Sequence, residues 1–216
     1  MNKITKLFYS FLYLGLTVVG FSTNSFAQED KNGFLDKPKV YLGAGVGSAA
    51  IDTGVTATTG TARLDENSVA FKGLLGIQLH KHIAIEGFYA NFGETSLTGN
   101  NGDTFVLDGT TYTFTANSVE VTAKATTIGL GLVGIIPVSD TVAPIIKLGF
   151  HSWESDYSVT SSAGNGALSD SGTDLFFGLG AQFNLNEKIA MRAMFERFNF
   201  DDEDVDFISA GLILTF

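Results

Sequence analysis

The sequence predicts an all-β fold, an eight-stranded antiparallel up-and-down β-barrel that spans a membrane. Three observations support this prediction. Apolar residues alternate with small or polar residues in eight successive runs, and a period of two is typical of β-strands. The breaks between runs are alternately short and long. One face of the runs is continuously apolar, whereas the other carries glycine and charged residues. The 216 residues allow one domain of this kind.

The first 27 residues predict a secretory signal peptide that is cleaved from the barrel. Lys3 and Lys6 give a positive start, an apolar stretch follows at 7–21, and Ser25 and Ala27 provide small residues for cleavage after Ala27. The alternative is a retained membrane anchor, which the shortness of the apolar stretch disfavours. We predict a short N-terminal lead at 28–38 and the barrel at 39–216.

The net charge of the whole chain is −10, and loss of Lys3 and Lys6 makes it −12 in the mature chain. This acidic balance argues against a nucleic-acid partner, which would require a basic surface.

The eight runs predict strands at 39–48, 68–79, 82–93, 118–136, 142–157, 173–185, 188–199 and 204–216. The last run is the clearest, because every second residue from Ile208 to Phe216 is apolar. The third run is ambiguous beyond Glu86, since Phe88, Tyr89 and Phe92 do not keep to one face.

The breaks predict short turns at one end of the barrel and long loops at the other. Short breaks lie at 80–81, 137–140 and 184–187, and long ones at 49–67, 94–117 and 160–172. The break at 200–204 is compact and acidic. This asymmetry is typical of outer-membrane barrels, whose short turns are periplasmic. We therefore expect periplasmic termini and four surface loops.

Charged residues within the runs predict which face points inward. In a soluble barrel the apolar face would enclose the interior, but a Lys or Arg facing lipid costs about 2–4 kcal/mol at the membrane midplane. We therefore expect Lys72, Glu86, Lys147, Arg192 and Glu196 to form an ion-pair network in the lumen. The alternative for any one of them is a strand end that reaches water. A narrow interior is expected to suit glycines and paired charges rather than a row of Phe.

The aromatic residues are expected to form girdles at the two membrane interfaces, with a ligand platform as the alternative. The residues assigned to the girdles are Phe71, Tyr89, Phe150, Trp153, Phe183, Phe195, Phe198 and Phe216.

Two local patterns resemble cofactor or metal sites, and a structural role is favoured for both. Residues 129–134 match G-x-G-x-x-G, but they lie inside an alternating run, whereas a dinucleotide site needs a helix to follow. His80 and His82 flank a tight turn and have no third ligand nearby, although zinc sites use three or four.

Two further patterns could serve catalysis or cation binding. His151 and Ser152 are adjacent in a strand and therefore face opposite sides, so they cannot form a nucleophile–base pair. The acidic residues at 201–206 could bind divalent cations that bridge lipopolysaccharide, but they lack the glycine and the spacing of a calcium loop. We predict no catalytic residue, no cofactor and no metal site.

Two segments carry a family resemblance: GTDLFFGLGAQFNLNEKIAMRAMFERF at 172–198 and DVDFISAGLILTF at 204–216. They resemble the small eight-stranded outer-membrane β-barrels of the OmpA-like transmembrane type, and Gly87 and the GFHSW run at 149–153 support this. The resemblance covers the whole mature chain. We expect no C-terminal peptidoglycan-binding domain, and therefore no anchoring role of that kind.

The resemblance implies location in the bacterial outer membrane, contact with its lipid and lipopolysaccharide, and insertion by the outer-membrane assembly machinery, with Phe216 as the terminal signal. It implies no single activity. We expect a monomer, not an enzyme, with a structural or surface-interaction role through its loops and a lumen plugged by the charge network. The alternatives are a narrow passive pore for small solutes and, less favoured, an outer-membrane lipid-modifying enzyme.

Overall fold

A computed structural model describes residues 34–201 and 203–216, which form twelve β-strands. In chain order these are β1 Phe34–Ile51, β2 Val55–Thr58, β3 Arg63–Asp65, β4 Asn67–His80, β5 Ile83–Gly99, β6 Thr104–Leu107, β7 Thr110–Thr113, β8 Val119–Ile135, β9 Val142–Ser161, β10 Gly164–Asn184, β11 Ile189–Phe200 and β12 Glu203–Thr215. Within these residues, no helix is long and apolar enough to cross a membrane. The predicted signal peptide lies outside the described residues.

Eight of the strands close into an antiparallel barrel, as the sequence predicts. They are β1, β4, β5, β8, β9, β10, β11 and β12, and each pairs with the next along the chain. The ring closes between β1 and β12, where Tyr41 lies opposite Thr215 and Ile51 lies opposite Val205. The backbone N–H of Phe216 continues this seam by donating to the Val40 carbonyl oxygen at 2.9 Å.

Several strand boundaries differ from the prediction, and β5 runs on to Gly99. β1 begins at Phe34, within the segment predicted as a lead, and β9 and β10 continue to a hairpin at Ser161 and Gly164, although 160–172 was predicted as a loop. The hairpin is rich in Ser, Thr and Gly and most of its residues are exposed. Because both of its faces meet water, its sequence does not alternate between apolar and polar residues.

The two other long breaks also contain strands. β2, β6 and β7 form a separate three-stranded sheet, and β3 pairs with the far end of β5. These segments share a hydrophobic cluster in which Ala62, Leu97 and Phe114 are buried. The long-loop end of the barrel therefore has a core of its own.

The outer face of the barrel is apolar, as predicted. Exposed outward residues include Leu42, Phe71, Ile85, Tyr89, Leu130, Leu148, Phe150, Leu179, Phe183, Met191, Leu212 and Phe216. Toward the long-loop end, this belt gives way to polar and charged outward residues such as Glu154, Arg197 and Asp206.

The three aromatic residues that made the third barrel strand ambiguous alternate regularly between its faces, and the strand bulges directly after them. The pairing of β5 with β8 shifts between Asn91 and Glu94, and Gly93 has a φ of 80°, a conformation that glycine adopts without strain. Phe88 and Phe92 are buried inside the barrel, whereas Tyr89 is exposed on its outer face.

Candidate functional site

All five charged residues assigned to the lumen lie there and contact one another. Lys72 on β4, Glu86 on β5, Lys147 on β9, and Arg192 and Glu196 on β11 are each at most 5% exposed. We call these five residues the charge layer. None of them reaches water from a strand end, which was the alternative for each.

Glu86 is held by three partners from three different strands. Its carboxylate accepts a hydrogen bond from the Tyr41 hydroxyl at 2.7 Å and pairs with the Lys147 ammonium at 2.5 Å and with the Arg192 guanidinium. Tyr41 was not predicted as a member of the network. Its position on the inward face of the first predicted strand was the one feature of the sequence that could have indicated this contact.

Glu196 pairs with Lys72, and its other oxygen lies 3.6 Å from Lys147. Lys147 therefore links the two carboxylates. Three cations face two carboxylates, and the excess positive charge is stabilised by a side-chain amide and by aromatic rings. The Gln182 side-chain oxygen accepts a hydrogen bond from Arg192 at 2.7 Å, and the Lys72 ammonium lies 5.7 Å from the centres of two phenylalanine rings.

A second group of inward side chains fills the barrel between the charge layer and the long-loop end. We call it the aromatic layer, and its members are Phe88, Phe92, His151, Trp153, Phe176, Phe198, Phe200 and Phe207. Typical contacts join Phe88 with Phe176 at 4.9 Å and Phe92 with Phe198 at 5.0 Å between ring centroids.

The aromatic layer contradicts two expectations. The narrow interior was expected to exclude phenylalanine, and Trp153 and Phe198 were assigned to the membrane girdles, yet they are only 6% and 0% exposed inside the barrel. The reason is the inward glycines of β8. A Cβ at Gly129 would lie 2.4 Å from the Phe88 ring, and one at Gly131 would lie 2.7 Å from the Phe176 ring. The first two glycines of the G-x-G-x-x-G match therefore make room for rings, and β8 runs on as a strand to Ile135.

His151 sits within the aromatic layer, where its side-chain hydrogen-bond partner is Thr127. Its Nδ1 lies 2.8 Å from the Thr127 hydroxyl, which itself donates to the Ser152 carbonyl oxygen at 2.9 Å. We infer that Nδ1 carries the proton and donates to Thr127. The other ring nitrogen, Nε2, is buried, and no hydrogen-bond partner for it lies among the described residues. Ser152 points to the opposite side of β9, so the two side chains form no nucleophile–base pair.

Little space remains in the lumen beside the charge layer. A cavity of about 20 Å³ is bordered by Lys72, Leu74, Arg192 and Met194, among others, and it has room for about one water molecule. Toward the short turns, apolar side chains including Val133, Ile145 and Ile213 fill the barrel. The described lumen is therefore occupied along its length.

Two of the acidic residues at 201–206, Asp204 and Asp206, are engaged by one arginine. Arg197 forms a bidentate pair with Asp206, at 2.6 and 2.5 Å, and lies 3.6 Å from Asp204. Hydrogen bonding to Asp206, together with its charge, raises the pKa of the Arg197 guanidinium. Among the described residues, no group of three or more His, Cys, Asp or Glu side chains is arranged to hold a metal ion.

The two turn histidines serve local structure. The backbone N–H of His82 donates to His80 Nδ1 at 3.1 Å, and His82 Nδ1 lies 3.0 Å from the Ile135 carbonyl oxygen. These contacts tie the turn between β4 and β5 to the end of β8.

Comparison with known proteins gives one family and several similar folds. Residues 14–216 match the family described as Outer membrane protein beta-barrel domain. Ail, the attachment invasion locus protein of Yersinia pestis in complex with the heparin analogue sucrose octasulfate, is 18% identical with a TM-score of 0.53, over 83% of this chain and 99% of Ail. OprG from Pseudomonas aeruginosa is 10% identical with a TM-score of 0.54, over 82% of this chain and 95% of OprG. No curated protein matches the sequence. At these identities the two structures show a shared fold.

Proposed function

The chain belongs to the outer membrane protein β-barrel family, and we propose that it is a closed, non-conducting scaffold whose extracellular end makes contacts at the cell surface. Its place is the bacterial outer membrane. In barrels of this kind the short turns lie in the periplasm, so the long-loop end is extracellular.

The filled lumen is the observation that carries this proposal. A pore for small solutes needs a continuous wet path, whereas the charge layer and the aromatic layer lie one above the other across the barrel. The charged side chains are paired with one another rather than exposed along a channel. The cavity beside them, about 20 Å³, is smaller than any sugar or amino acid.

The extracellular end supports a role in surface contacts. It has its own hydrophobic cluster and sheet, so its loops present a shaped surface. Its segments 52–66, 94–124, 154–174 and 197–206 contain 16 acidic residues and three basic ones. Ail is bound to a sulfated polyanion in its structure, but this acidic surface favours cationic partners instead.

The membrane and the assembly pathway supply further partners in this proposal. The apolar belt would contact outer-membrane lipid, with lipopolysaccharide at its outer rim. The outer-membrane assembly machinery would engage β12 and Phe216, and the inserted barrel would remain a monomer. We propose no catalytic role, because His151 and Ser152 lie on opposite faces of β9.

Solute leakage from liposomes tests the closed lumen. The mature protein, refolded into liposomes and checked by its heat-dependent gel mobility, should release neither ions nor sugars. A double variant, Glu86→Ala with Arg192→Ala, removes the centre of the charge layer and should lower stability, while the aromatic layer keeps sugars out. The matched control, Leu148→Ala with Leu212→Ala, alters only the outer face and should stay sealed with a smaller loss of stability. Leakage from the unaltered protein at a defined solute size would establish the narrow-pore alternative instead.

A further inference from the structure

β10 has a long edge without a strand partner. β9 pairs with β10 along its whole length, from Phe183 opposite Val142 to Gly164 opposite Ser161. β11 pairs with β10 only as far as Phe176. Among the described residues, no strand pairs with the other edge of residues 164–175. At about 3.4 Å per residue this edge is about 40 Å long.

The free edge lies beyond the apolar belt. Leu175 is the last large apolar outward residue of β10 before the hairpin, and residues 164–171 are all exposed. Proteins commonly block such edges with proline, lysine or a bulge, because unpaired N–H and C=O groups recruit further strands. Residues 164–175 contain no proline and no lysine, and most of their side chains are small. The backbone groups of residues 164–171 are therefore accessible.

The protruding hairpin is acidic on both faces. Asp170 and Asp174 lie opposite Ser155 and His151, on the face that continues the lumen wall, and Asp156 lies on the outer face. Residues 154–174 contain four acidic residues and no basic residue. A strand that adds here must carry positive charge if it is to avoid repulsion.

We propose that residues 164–175 form a docking edge for an extended cationic peptide segment, which adds as a further strand to the extracellular sheet. This proposal rests on the proposed function, since the edge is extracellular only in that orientation. Backbone hydrogen bonds supply the affinity, and alternate side chains supply the specificity. On the inner face the incoming strand meets Leu168 and Asp170, which select one apolar and one basic residue, whereas the Asp174 carboxylate already accepts hydrogen bonds from Trp153 and from the backbone N–H of Asp201. A second copy of this chain would instead bring like charges together.

Backbone-modified peptides test whether the peptide binds as a strand. The full mature chain is placed in nanodiscs of zwitterionic lipid and titrated with a fluorescent ten-residue peptide of alternating Lys and Val. Two further peptides of the same sequence are N-methylated at the odd or at the even amides. One of them loses the N–H groups that face the edge, and its affinity should fall at least about tenfold. The other should bind with the affinity of the unmethylated peptide. Equal binding by all three would show attraction by charge alone and would overturn the proposal.

Cross-linking tests where the peptide binds. The chain has no cysteine, so Ser171→Cys provides a single reactive thiol on β10, and Thr111→Cys provides a control on exposed β7. A peptide with one cysteine should form a disulfide with the β10 thiol under mild oxidation, because the bond requires Cβ atoms within about 4.5 Å. Equal or stronger cross-linking at position 111 would place the peptide elsewhere and refute the docking edge.

Charge variants complete the test. The pair Asp156→Asn and Asp170→Asn should weaken binding several-fold at low salt, whereas the control pair Asp65→Asn and Asp108→Asn, with the same change in net charge, should not. Liposome leakage is measured on the same preparations. Sealed liposomes without peptide binding would refute the docking edge and leave the scaffold intact, whereas leaky liposomes would refute the scaffold. Self-association of the protein without peptide would show a second copy at the edge and likewise refute the proposal.

Discussion

The charge layer and the aromatic layer close the same barrel by different physics. In the charge layer, each side chain is stabilised by particular opposite charges, and its own desolvation is offset only while those partners remain. In the aromatic layer, rings are stabilised by contact with whatever apolar surface surrounds them. The first arrangement fails when one member is removed, whereas the second loses contacts in proportion to the volume removed.

Removal of a carboxylate from the charge layer should give the largest effect on stability. Glu86→Gln leaves Lys147 and Arg192 in the lumen with Glu196 as the remaining carboxylate, so the free energy of unfolding should fall by about 3–5 kcal/mol. The measurement is urea-induced unfolding from lipid vesicles.

The matched control for this substitution is Glu94→Gln. Glu94 pairs with Lys124 at 2.9 Å, but both side chains are largely exposed, so the loss should be below about 1 kcal/mol. Equal losses for the two variants would mean that the lumen charges are hydrated rather than mutually paired.

Removal of one ring from the aromatic layer should cost somewhat less. Phe176→Ala loses apolar burial and leaves a cavity, for a loss of about 3–4 kcal/mol in the free energy of unfolding. The charge layer still blocks the barrel, so liposomes should remain sealed. Leakage from this variant would show that the rings, and not the charges, close the lumen.

Phe177, the next residue on β10, provides the matched control for Phe176→Ala. Phe177 is 42% exposed on the outer face, where Phe176 is 1% exposed inside. Phe177→Ala should cost about half as much, because acyl chains close around the smaller side chain and no cavity remains.

Replacement of the polar member of the aromatic layer should have a small effect. His151→Phe removes the hydrogen bond to Thr127 but also removes a buried nitrogen that has no hydrogen-bond partner among the described residues. The two changes oppose one another, so stability should stay within about 1 kcal/mol of the parent. A loss several times larger would show that the ring nitrogens of His151 have a role beyond packing.

The smallest effect should come from the extracellular hairpin, beyond both layers. Burial, reinforced by the charge of Glu203, raises the pKa of the Tyr157 hydroxyl. Because the pKa of this hydroxyl is higher in the folded state than in the unfolded state, the hydroxyl stabilises the fold fully below the unfolded pKa of about 10. That stability is lost as the pH rises through the folded pKa. Tyr157→Phe should therefore flatten the decline in stability above about pH 10, as measured by unfolding at several alkaline pH values.

These two layers also show what can be predicted from such a sequence. A charged side chain has one acceptable direction in a membrane barrel, because the lipid-facing alternative is costly, so Lys72, Lys147 and Arg192 could be placed in the lumen. An aromatic side chain is acceptable on either face. Hydrophobicity alone therefore could not decide whether Trp153 and Phe198 point inward or outward, and only the glycines of β8 indicated aromatic rings inside the barrel.

The strands show the same distinction. Where one face meets lipid, alternation identified all eight barrel strands. The hairpin at residues 158–171 and the short strands β2, β3, β6 and β7 lie outside the belt, where both faces can be polar, and their sequences carry no such signal. The third strand was ambiguous because it carries large aromatic residues on both faces, with Phe88 and Phe92 inside and Tyr89 outside.

The ion pairs of the charge layer also bear on how the chain folds. Lys72 and Glu196 are 124 residues apart, and Glu86 and Arg192 are 106 apart, so neither pair can form until distant parts of the chain meet. Contacts of such long range form late and slow folding. Before closure, the same five charges remain hydrated and hold these segments in water. After the barrel closes, the same charges pair across it. Residues that keep the unclosed strands hydrated therefore stabilise the finished barrel.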